Sequence, residues 1–256
     1  MIKKVIESNE QYHSSRALSS SGVKTIYNKS VYHFINQKPF SSKFMDLGTA
    51  IHTLTLEPHL FDEQVKFYGK IDGRTADGKA QKAQVEQWQA SGLLVFDESD
   101  REMFTLIKRN FNDNPVAVKY AQGQVELSHY IEDFMGVYLR IRPDVVNYDE
   151  GFISDVKTCQ DNSPKAFRND IFKRGYHIQA TLYCDAVGID PRNFVVQAIE
   201  TNYPYSVQCY KLSDDMIDKG RAAYTIAIED WKNYLETNEA PLYRWDFVDD
   251  EGIILL

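Results

Sequence analysis

The chain has 256 residues, of which 43% are hydrophobic and 26% are charged, so it can bury a substantial core as a globular protein. No apolar stretch reaches membrane-spanning length, and residues 1–10 lack the apolar centre of a secretory signal, which predicts a cytoplasmic location and no membrane partner. Three widely spaced cysteines without a Cys-x-x-Cys pair argue against a disulfide framework, a structural zinc site and a four-cysteine iron–sulfur cluster.

The net charge of −8 is distributed unevenly. Residues 213–256 carry a net charge of −7, and everything before them sums to −1. Within that first part, residues 157–177 carry +3 from Lys157, Lys165, Arg168, Lys173 and Arg174 against two acids. Local positive potential suits the phosphate backbone of a nucleic acid, whereas a solvated surface explains the same charges, and both interpretations stay open.

The first predicted element with a candidate functional side chain is a helix over residues 46–57, ended by Pro58. His52 projects away from the apolar stripe of this helix. Gly48, one turn earlier, leaves space beside the imidazole. A lone histidine is often structural, but neutral imidazole is a good metal ligand, and among carboxylates it points to Mn²⁺ or Mg²⁺ rather than to zinc.

Alternating apolar and polar residues predict a three-stranded meander over residues 124–131, 137–146 and 152–158. Turn-prone runs at 132–136 and 147–151 join the strands. Because successive side chains point to opposite faces, one polar face collects Glu126, Asp144, Asp155 and Lys157. Pro143 lacks an N–H, so the strand is predicted to end or splay beside Asp144 and to open space for a substrate.

Clustered carboxylates in a partly dry cleft need a cation or a proton to neutralise them, and a divalent metal is the economical interpretation. With Lys157 beside the acids, the pattern predicts a metal-dependent phosphodiesterase site. Acids near a lysine also occur on solvated sheet faces, an alternative that the spacing of Asp155 and Lys157 alone does not remove. Glu126, Asp144 and His52 favour the metal site.

A second helix is predicted over Tyr176–Val187, with Gly188 as its C-terminal signal. Gln179 and Tyr183 stand at i and i+4, so they share a face and could reach a phosphate or orient a metal-bound water. Packing of Tyr183 in the core is the alternative. Residues 213–238 have a helical pattern that closes the core or forms a subunit contact, followed by a tail at 245–256 with acidic and then apolar residues.

These stretches, in this order, resemble the motifs of the PD-(D/E)XK nuclease superfamily, and in particular its RecE-type branch, exodeoxyribonuclease VIII. The similarity covers roughly residues 15–210. Residues 48–58 are similar to the histidine motif of that branch almost throughout, and residues 18–24 and 73–79 also resemble it. The remaining motifs are Glu126, Arg142-Pro143-Asp144, Asp155-Val156-Lys157-Thr158 and Tyr176-His177-x-Gln179-x-x-x-Tyr183.

The resemblance implies an α/β (α+β) fold with a restriction-endonuclease-like core, in which helices flank a mixed central β-sheet. It implies one exonuclease domain over residues 1–256. Within that domain, residues 1–45 would form a helical region for the DNA end, and residues 213–256 would form a C-terminal helix and an acidic tail.

By position, the resemblance implies that His52, Asp144, Asp155 and the carbonyl of Val156 bind Mg²⁺, with Mn²⁺ as a plausible substitute. Lys157 would lie beside the attacking water, and we expect the neighbouring acids to keep it protonated. The other implied catalytic residues are Glu126, which would assist the metal or its hydration shell, Gln179 and Tyr183.

Contacts to a 5′ phosphate or to the duplex backbone are predicted for a set of hydroxyls and cations along the chain. The first three of them also fit an ordinary helix cap. The set is Ser19, Ser21, Lys24, Arg74, Lys79, Arg142, Lys165, Arg168, Lys173 and Arg174.

The activity implied by the resemblance is processive 5′ to 3′ digestion of one strand of linear double-stranded DNA, which leaves 3′ single strands for phage-type recombination. It implies a homo-oligomeric ring, a tetramer being favoured, with a single-strand annealing protein as partner, in a bacterial host and encoded by a phage or prophage. Two alternatives stay open. One is a non-catalytic DNA-end-binding or scaffold protein, and the other is an endonuclease on the same fold.

Overall fold

A computed structural model of the chain describes residues 1–38 and 42–242. The strands in this part are β1 (Ile2–Val5), β2 (Leu18–Ser19), β3 (Val65–Tyr68), β4 (Leu94–Asp97), β5 (Gln124–Val125), β6 (Ser128–Phe134), β7 (Val137–Ile141), β8 (Val145–Asn147), β9 (Phe152–Cys159), β10 (Phe194–Glu200) and β11 (Val207–Lys211). The α-helices are α1 (Asn9–Ser14), α2 (Ser20–Asn28), α3 (Val31–Ile35), α4 (Lys43–Leu56), α5 (Phe61–Gln64), α6 (Ala76–Ala90), α7 (Arg101–Asn112), α8 (Pro115–Tyr120), α9 (Pro164–Lys173), α10 (Tyr176–Val187) and α11 (Asp214–Thr237).

A five-stranded mixed sheet lies at the centre, in the order β11-β10-β9-β8-β5. Its β9 and β10 are parallel and its other pairs antiparallel. Apolar residues of β9 and β10 pack against α2, α10 and α11 on one face and against α4 and α7 on the other. The predicted α/β fold with a mixed sheet flanked by helices is therefore confirmed.

A four-stranded sheet in the order β1-β6-β7-β2 stands beside the central sheet, and β3 and β4 form a small parallel pair. The predicted single meander is therefore wrong. The β6–β7 hairpin belongs to the four-stranded sheet, and the β8–β9 hairpin belongs to the central one. The predicted strand end at Pro143 is confirmed, since the chain leaves β7 after Ile141 and enters β8 at Val145.

The predicted strand over residues 124–131 is also divided. Glu126 lies between β5 and β6 with a φ of +52°, a left-handed conformation that ends an extended ladder. As a consequence β5 pairs with β8 in the central sheet, and β6 pairs with β7 and β1 in the other.

The predicted helices are confirmed. The helix over Tyr176–Val187 has the predicted bounds and ends at Gly188 with a φ of +78°. The predicted helix at 46–57 begins earlier, at Lys43, because the Ser42 side chain caps it by accepting a hydrogen bond from the Met45 N–H. The predicted tail at 245–256 lies outside the described residues. Every helix within residues 1–38 and 42–242 is too short or too polar to cross a lipid bilayer.

Helices α10 and α11 approach each other closely at Gly220 of α11. A Cβ atom at Gly220 would lie 2.5 Å from the His177 carbonyl oxygen and 2.6 Å from Oγ1 of Thr181. Both atoms belong to α10, so a larger residue would push the two helices apart. The contact therefore helps to fix the position of α10, which carries Gln179.

We predict that Gly220→Ala lowers the free energy of unfolding by about 1–3 kcal/mol, because the added methyl group overpacks this contact. Helix propensity alone gives the opposite sign, since alanine is better than glycine in a helix interior by about 1 kcal/mol. Urea unfolding followed by circular dichroism measures the difference. Gly69→Ala is the control, because a Cβ at Gly69 would meet no atom of the described residues within 4 Å. An unchanged or raised midpoint for Gly220→Ala would contradict the tight packing.

Candidate metal centre

The break between β7 and β8 places Asp144 at the junction of the two sheets. Its Oδ2 accepts a hydrogen bond of 2.7 Å from the Val156 N–H of β9. Its backbone carbonyl accepts a hydrogen bond of 3.1 Å from the Glu126 N–H. The two interruptions of the strands, at Glu126 and at Asp144, therefore lie side by side.

His52, on helix α4, also lies at this junction. Its Nε2 lies 3.3 Å from Oε1 of Glu126 and 3.4 Å from Oδ1 of Asp144. One ligand atom from each of the three residues lies within 4.8 Å of the others, and we call them the metal group. Helix α4 comes close to β9 at Gly48, where a Cβ would lie 3.6 Å from Oγ1 of Thr158. This distance is an ordinary van der Waals contact, and the space predicted beside the His52 imidazole stays a prediction.

The metal group fits a divalent cation. Among the residues that the structure describes, Nε2 of His52 is buried and has no hydrogen-bond partner of normal geometry, although two carboxylates face it. Cis ligands of an octahedral ion bound at about 2.1 Å lie roughly 3 Å apart, close to the separations of 3.3 and 3.4 Å between these atoms. One imidazole with two carboxylates is a set of nitrogen and oxygen ligands that several divalent cations accept.

Asp155 of β9 lies next to the metal group, but both of its carboxylate oxygens have other partners. Oδ1 accepts a hydrogen bond of 2.7 Å from Nε2 of Gln179, and Oδ2 forms an ion pair with Lys157. The side chain of Asp155 is only 1% exposed. Glu126 rather than Asp155 completes the group with His52. Metal binding by Asp155 and by the carbonyl of Val156 stays a prediction.

Burial and mutual attraction shift the pKa values in this region. Burial alone would lower the pKa of His52, but attraction to Asp144 and Glu126 outweighs burial and raises this pKa to about 9. Burial raises the pKa of Glu126 to about 7, and burial together with Asp144 raises that of Asp155 to about 6. Burial also opposes the charge of Lys157, yet Asp155 and Asp144 raise its pKa above the ordinary value. The pKa of Lys157 is thus shifted in the direction expected from the neighbouring acids.

We predict that divalent metal binds more tightly as the pH rises towards the His52 pKa of about 9. The sign follows because His52 is protonated at neutral pH and must lose its proton before Nε2 can bind a cation. Calorimetric titration of Mn²⁺ at pH 7, in two buffers of different ionisation enthalpy, should show release of about 1.5 protons per ion, about one from His52 and about half of one from Glu126. His52→Gln should release fewer protons. Affinity that does not change with pH would contradict the assignment of His52.

A cavity of about 260 Å³ adjoins the metal group, and Glu126 lines it. Gln179 and Tyr183, both buried on α10, form part of its wall, so Tyr183 packs in the core and also faces the cavity. Nζ of Lys24 donates a hydrogen bond of 3.2 Å to Oε1 of Gln179. Nε2 of Gln179 in turn donates a hydrogen bond to Oδ1 of Asp155. The other lining residues are Asn9, Tyr12, His13, Ser19, Ser20, Ser21 and Arg142.

The N-terminus of α2 borders the same cavity. Ser19 caps the helix by accepting a hydrogen bond of 3.1 Å from the Gly22 N–H, so the helix-cap interpretation is confirmed for this residue. Ser20 was not singled out from the sequence, although it lies in a run of three serines before an apolar pattern. It is 4% exposed, and within the described residues its hydroxyl has no hydrogen-bond partner. A helix N-terminus with a free hydroxyl favours an anion.

Two other predicted DNA contacts lie apart from the cavity. Arg74 and Lys79 are exposed at the start of α6, where Thr75 caps the helix. Nε of Arg74 forms an exposed ion pair of 3.0 Å with Asp72. The structure therefore does not bring these two cations to the metal group.

The predicted basic stretch lies on α9 and just after it. This helix leads through Gly175 to Tyr176, whose ring centroid lies 5.2 Å from Nζ of Lys157. The exposed cations therefore stand on the element that precedes the site. They are Lys165, Arg168, Lys173 and Arg174.

The mixed sheet with flanking helices, and Asp144 beside the Asp155-x-Lys157 pair, have the arrangement expected from the resemblance to the PD-(D/E)XK nuclease superfamily. The predicted superfamily is confirmed by the family to which the chain belongs. Residues 24–246 match the model of the PDDEXK-like domain of unknown function (DUF3799), and the chain is a member of that family.

A solved structure shares the fold. The chain is similar to a candidate exonuclease from Eubacterium rectale, with a TM-score of 0.61 and 14% identity over 93% of this chain and 90% of that chain. A phage-related exonuclease from Haemophilus somnus 129PT is 11% identical over 90% of this chain and 100% of that chain. Its TM-score of 0.37 is too low to support an argument. No curated protein is detectably similar in sequence.

Proposed function

We propose that the protein is a Mg²⁺-dependent exodeoxyribonuclease that digests one strand of linear double-stranded DNA from its 5′ end. The observation that carries the proposal is the position of the metal group, His52, Glu126 and Asp144, beside the Asp155–Lys157 ion pair. Membership of a PDDEXK-like family supports nuclease chemistry. The polarity of digestion and the choice of Mg²⁺ rest on the resemblance to the RecE-type branch.

The residues of the site have two kinds of role: some compensate charge, and others orient neighbouring side chains. A cation held by the metal group would polarise the scissile phosphate and lower the pKa of its bound water. Lys157, kept cationic by Asp155, offsets the negative charge that gathers on the phosphate oxygens. Gln179 holds Asp155 by a hydrogen bond, so the ion pair keeps its direction.

The cavity beside the metal group suits a terminal 5′ phosphate. It combines the N-terminus of α2, the unpaired hydroxyl of Ser20 and the ammonium of Lys24. Burial and Lys157 lower the pKa of Lys24 to about 8, and a bound phosphate would compensate that buried charge. Glu126 borders the cavity and also belongs to the metal group. A DNA strand whose 5′ end is held in the cavity would therefore lie beside the bound cation.

We predict that Lys24→Met lowers kcat/KM on duplex with 5′ phosphates by about 10- to 100-fold, the worth of a charge-assisted hydrogen bond. The rate on duplex with 5′ hydroxyls should fall much less. Ser20→Ala should change the preference in the same direction by a smaller factor. Lys29→Met, at the exposed end of α2, is the matched control. Equal losses on both substrates would show that Lys24 acts through Gln179 rather than on phosphate.

Digestion of linear duplex, labelled at either the 5′ or the 3′ end, tests the proposed function. With Mg²⁺ we expect nucleotide release from the 5′ end, a remaining 3′ single strand and no release in the presence of a chelator. Closed circular DNA should resist, because an exonuclease needs an end. Cleavage of the circle would indicate an endonuclease instead. Tight, salt-sensitive binding of ends without hydrolysis under Mg²⁺ or Mn²⁺ would indicate a DNA-end-binding protein.

The wider setting of this activity is also proposed from the resemblance. The 3′ strands would serve phage-type recombination through a single-strand annealing protein, in the cytoplasm of a bacterial host. The subunits would form a ring, a tetramer being favoured. Sedimentation of the purified protein tests the ring, since a monomer at working concentration would contradict it.

A further inference from the structure

Arg142 is a buried cation that lies outside the metal group and binds several parts of the chain. Its side chain is 6% exposed. Nε donates a hydrogen bond of 2.8 Å to the hydroxyl of Ser128 on β6, and Nη1 donates one of 2.6 Å to Oδ1 of Asn9 on α1. Nη2 lies 3.4 Å from the carbonyl oxygens of Glu7 and Ser8. The guanidinium thus connects the segment before α1 with the four-stranded sheet.

Tyr12 of α1 strengthens this connection. The guanidinium carbon of Arg142 lies 4.1 Å from the Tyr12 ring centroid, and that of Arg140 lies 4.8 Å from it. Arg140 also donates a hydrogen bond to the Ser15 carbonyl. Two arginines thereby hold α1 against the sheet through cation–π contacts and hydrogen bonds. Because Asn9 and Tyr12 line the cavity, its wall depends on this attachment.

Arg142 also faces the metal group through Glu126. Its Nε lies 3.8 Å from Oε2 of Glu126, whereas Oε1 of the same carboxylate lies 3.3 Å from Nε2 of His52. The two oxygens of Glu126 therefore point to different cationic groups. The Glu126 side chain is 36% exposed, so burial alone does not fix its direction.

We propose that Arg142 is a positioning residue that turns the Glu126 carboxylate towards the bound cation and at the same time anchors α1 at the cavity. The inference rests on the proposed function, because it takes Glu126 to be a metal ligand. A planar guanidinium has donors on separate edges, so its Nη atoms bind α1 and its Nε binds Ser128 while its charge attracts the Glu126 carboxylate, which a single ammonium group cannot do. Arg142 was predicted to contact DNA, but its donors face protein groups.

A double-mutant cycle on Mn²⁺ binding, measured by calorimetry without DNA, tests the inference. The variants are Arg142→Gln, Glu126→Gln and the combination of both. We expect Arg142→Gln to weaken Mn²⁺ binding by about 10-fold, as for other residues that orient a metal ligand. In the Glu126→Gln background, Arg142→Gln should weaken Mn²⁺ binding by less than about twofold, because Arg142 acts on the ion through the Glu126 carboxylate.

Arg140→Gln is the matched control, since Arg140 also contacts Tyr12 and α1 but makes no contact with Glu126 in the residues described. It should loosen α1, measured by limited proteolysis near residues 7–16, and leave Mn²⁺ affinity unchanged. Arg142→Lys keeps the charge without the fork and replaces Arg142→Gln in the cycle if the latter does not fold.

An unchanged Mn²⁺ affinity in both Arg142 variants would overturn the inference. The inference would also be overturned if Arg142→Gln lowered Mn²⁺ affinity equally with and without the Glu126 carboxylate. An equally large loss of Mn²⁺ affinity in Arg140→Gln would overturn it too, because each result would show a general effect on the fold. If the wild-type protein itself binds no Mn²⁺, the proposed function fails as well. That result is distinct from a failed cycle on a metal-binding protein.

Discussion

Asp144→Asn is expected to remove Mn²⁺ binding and DNA digestion while the protein stays folded. The asparagine oxygen can still accept the hydrogen bond from the Val156 N–H, which is 2.7 Å long in the native protein. The amide carries no charge, however, and a full charge a few ångströms from a partly buried cation contributes several kcal/mol. We therefore expect Mn²⁺ affinity to fall by at least about 100-fold.

Calorimetric titration with Mn²⁺ and digestion of end-labelled duplex measure the two losses in Asp144→Asn. Circular dichroism shows whether the fold is retained. Asp149→Asn changes the same residue type in the exposed turn after β8 and is the control for charge alone. Mn²⁺ affinity within about threefold of wild type would remove Asp144 from the metal group.

Lys157→Met is expected to stop turnover without removing the metal. The loss of a cation beside the reacting phosphate should lower kcat by about 10²–10³-fold, as when a group that stabilises developing charge is deleted. A change in the protonation of Asp155 can compensate for the lost charge of Lys157. The pKa of Asp155 is already raised to about 6 by burial and Asp144, and Lys157 lowers it. Without Lys157, Asp155 takes up a proton at neutral pH, which avoids an unpaired buried charge.

Single-turnover digestion and Mn²⁺ calorimetry on the same preparation distinguish the roles of Lys157 and the metal group. Lys211→Met, an exposed lysine on β11 with no predicted contact to DNA, is the matched control. A kcat within about fivefold of wild type would show that Lys157 is not needed for turnover. Loss of Mn²⁺ binding as complete as in Asp144→Asn would show that Lys157 only supports the metal group.

Local signals predicted the parts of the fold that depend on neighbouring residues. The alternation at residues 152–158 and the helical period at 176–187 lie where the structure has β9 and α10. The missing N–H of Pro143 predicted the strand end that frees Asp144. These features placed Asp155 and Lys157 on one face of a strand, whereas the position of Gln179 at the site was implied only by the resemblance to the nuclease superfamily.

Long-range packing decided what the sequence could not predict. The division of the meander between two sheets depends on β8 pairing with β5 and on β9 pairing with β10, which no local pattern shows. The position of Glu126 beside His52 depends on its left-handed backbone. The burial of Arg142 requires α1 to return to the sheet. The run of hydroxyls at Ser19 predicted a cap, but the free hydroxyl of Ser20 depends on its burial.

The three donors of the metal group come from a helix and from two strand interruptions, and only the complete fold brings them together. An unfolded chain would hold them far apart and bind the ion weakly. A ligand with this preference shifts the folding equilibrium towards the native state as its concentration rises. We therefore expect the melting temperature of this protein to rise with the concentration of divalent ions, whether or not DNA is present.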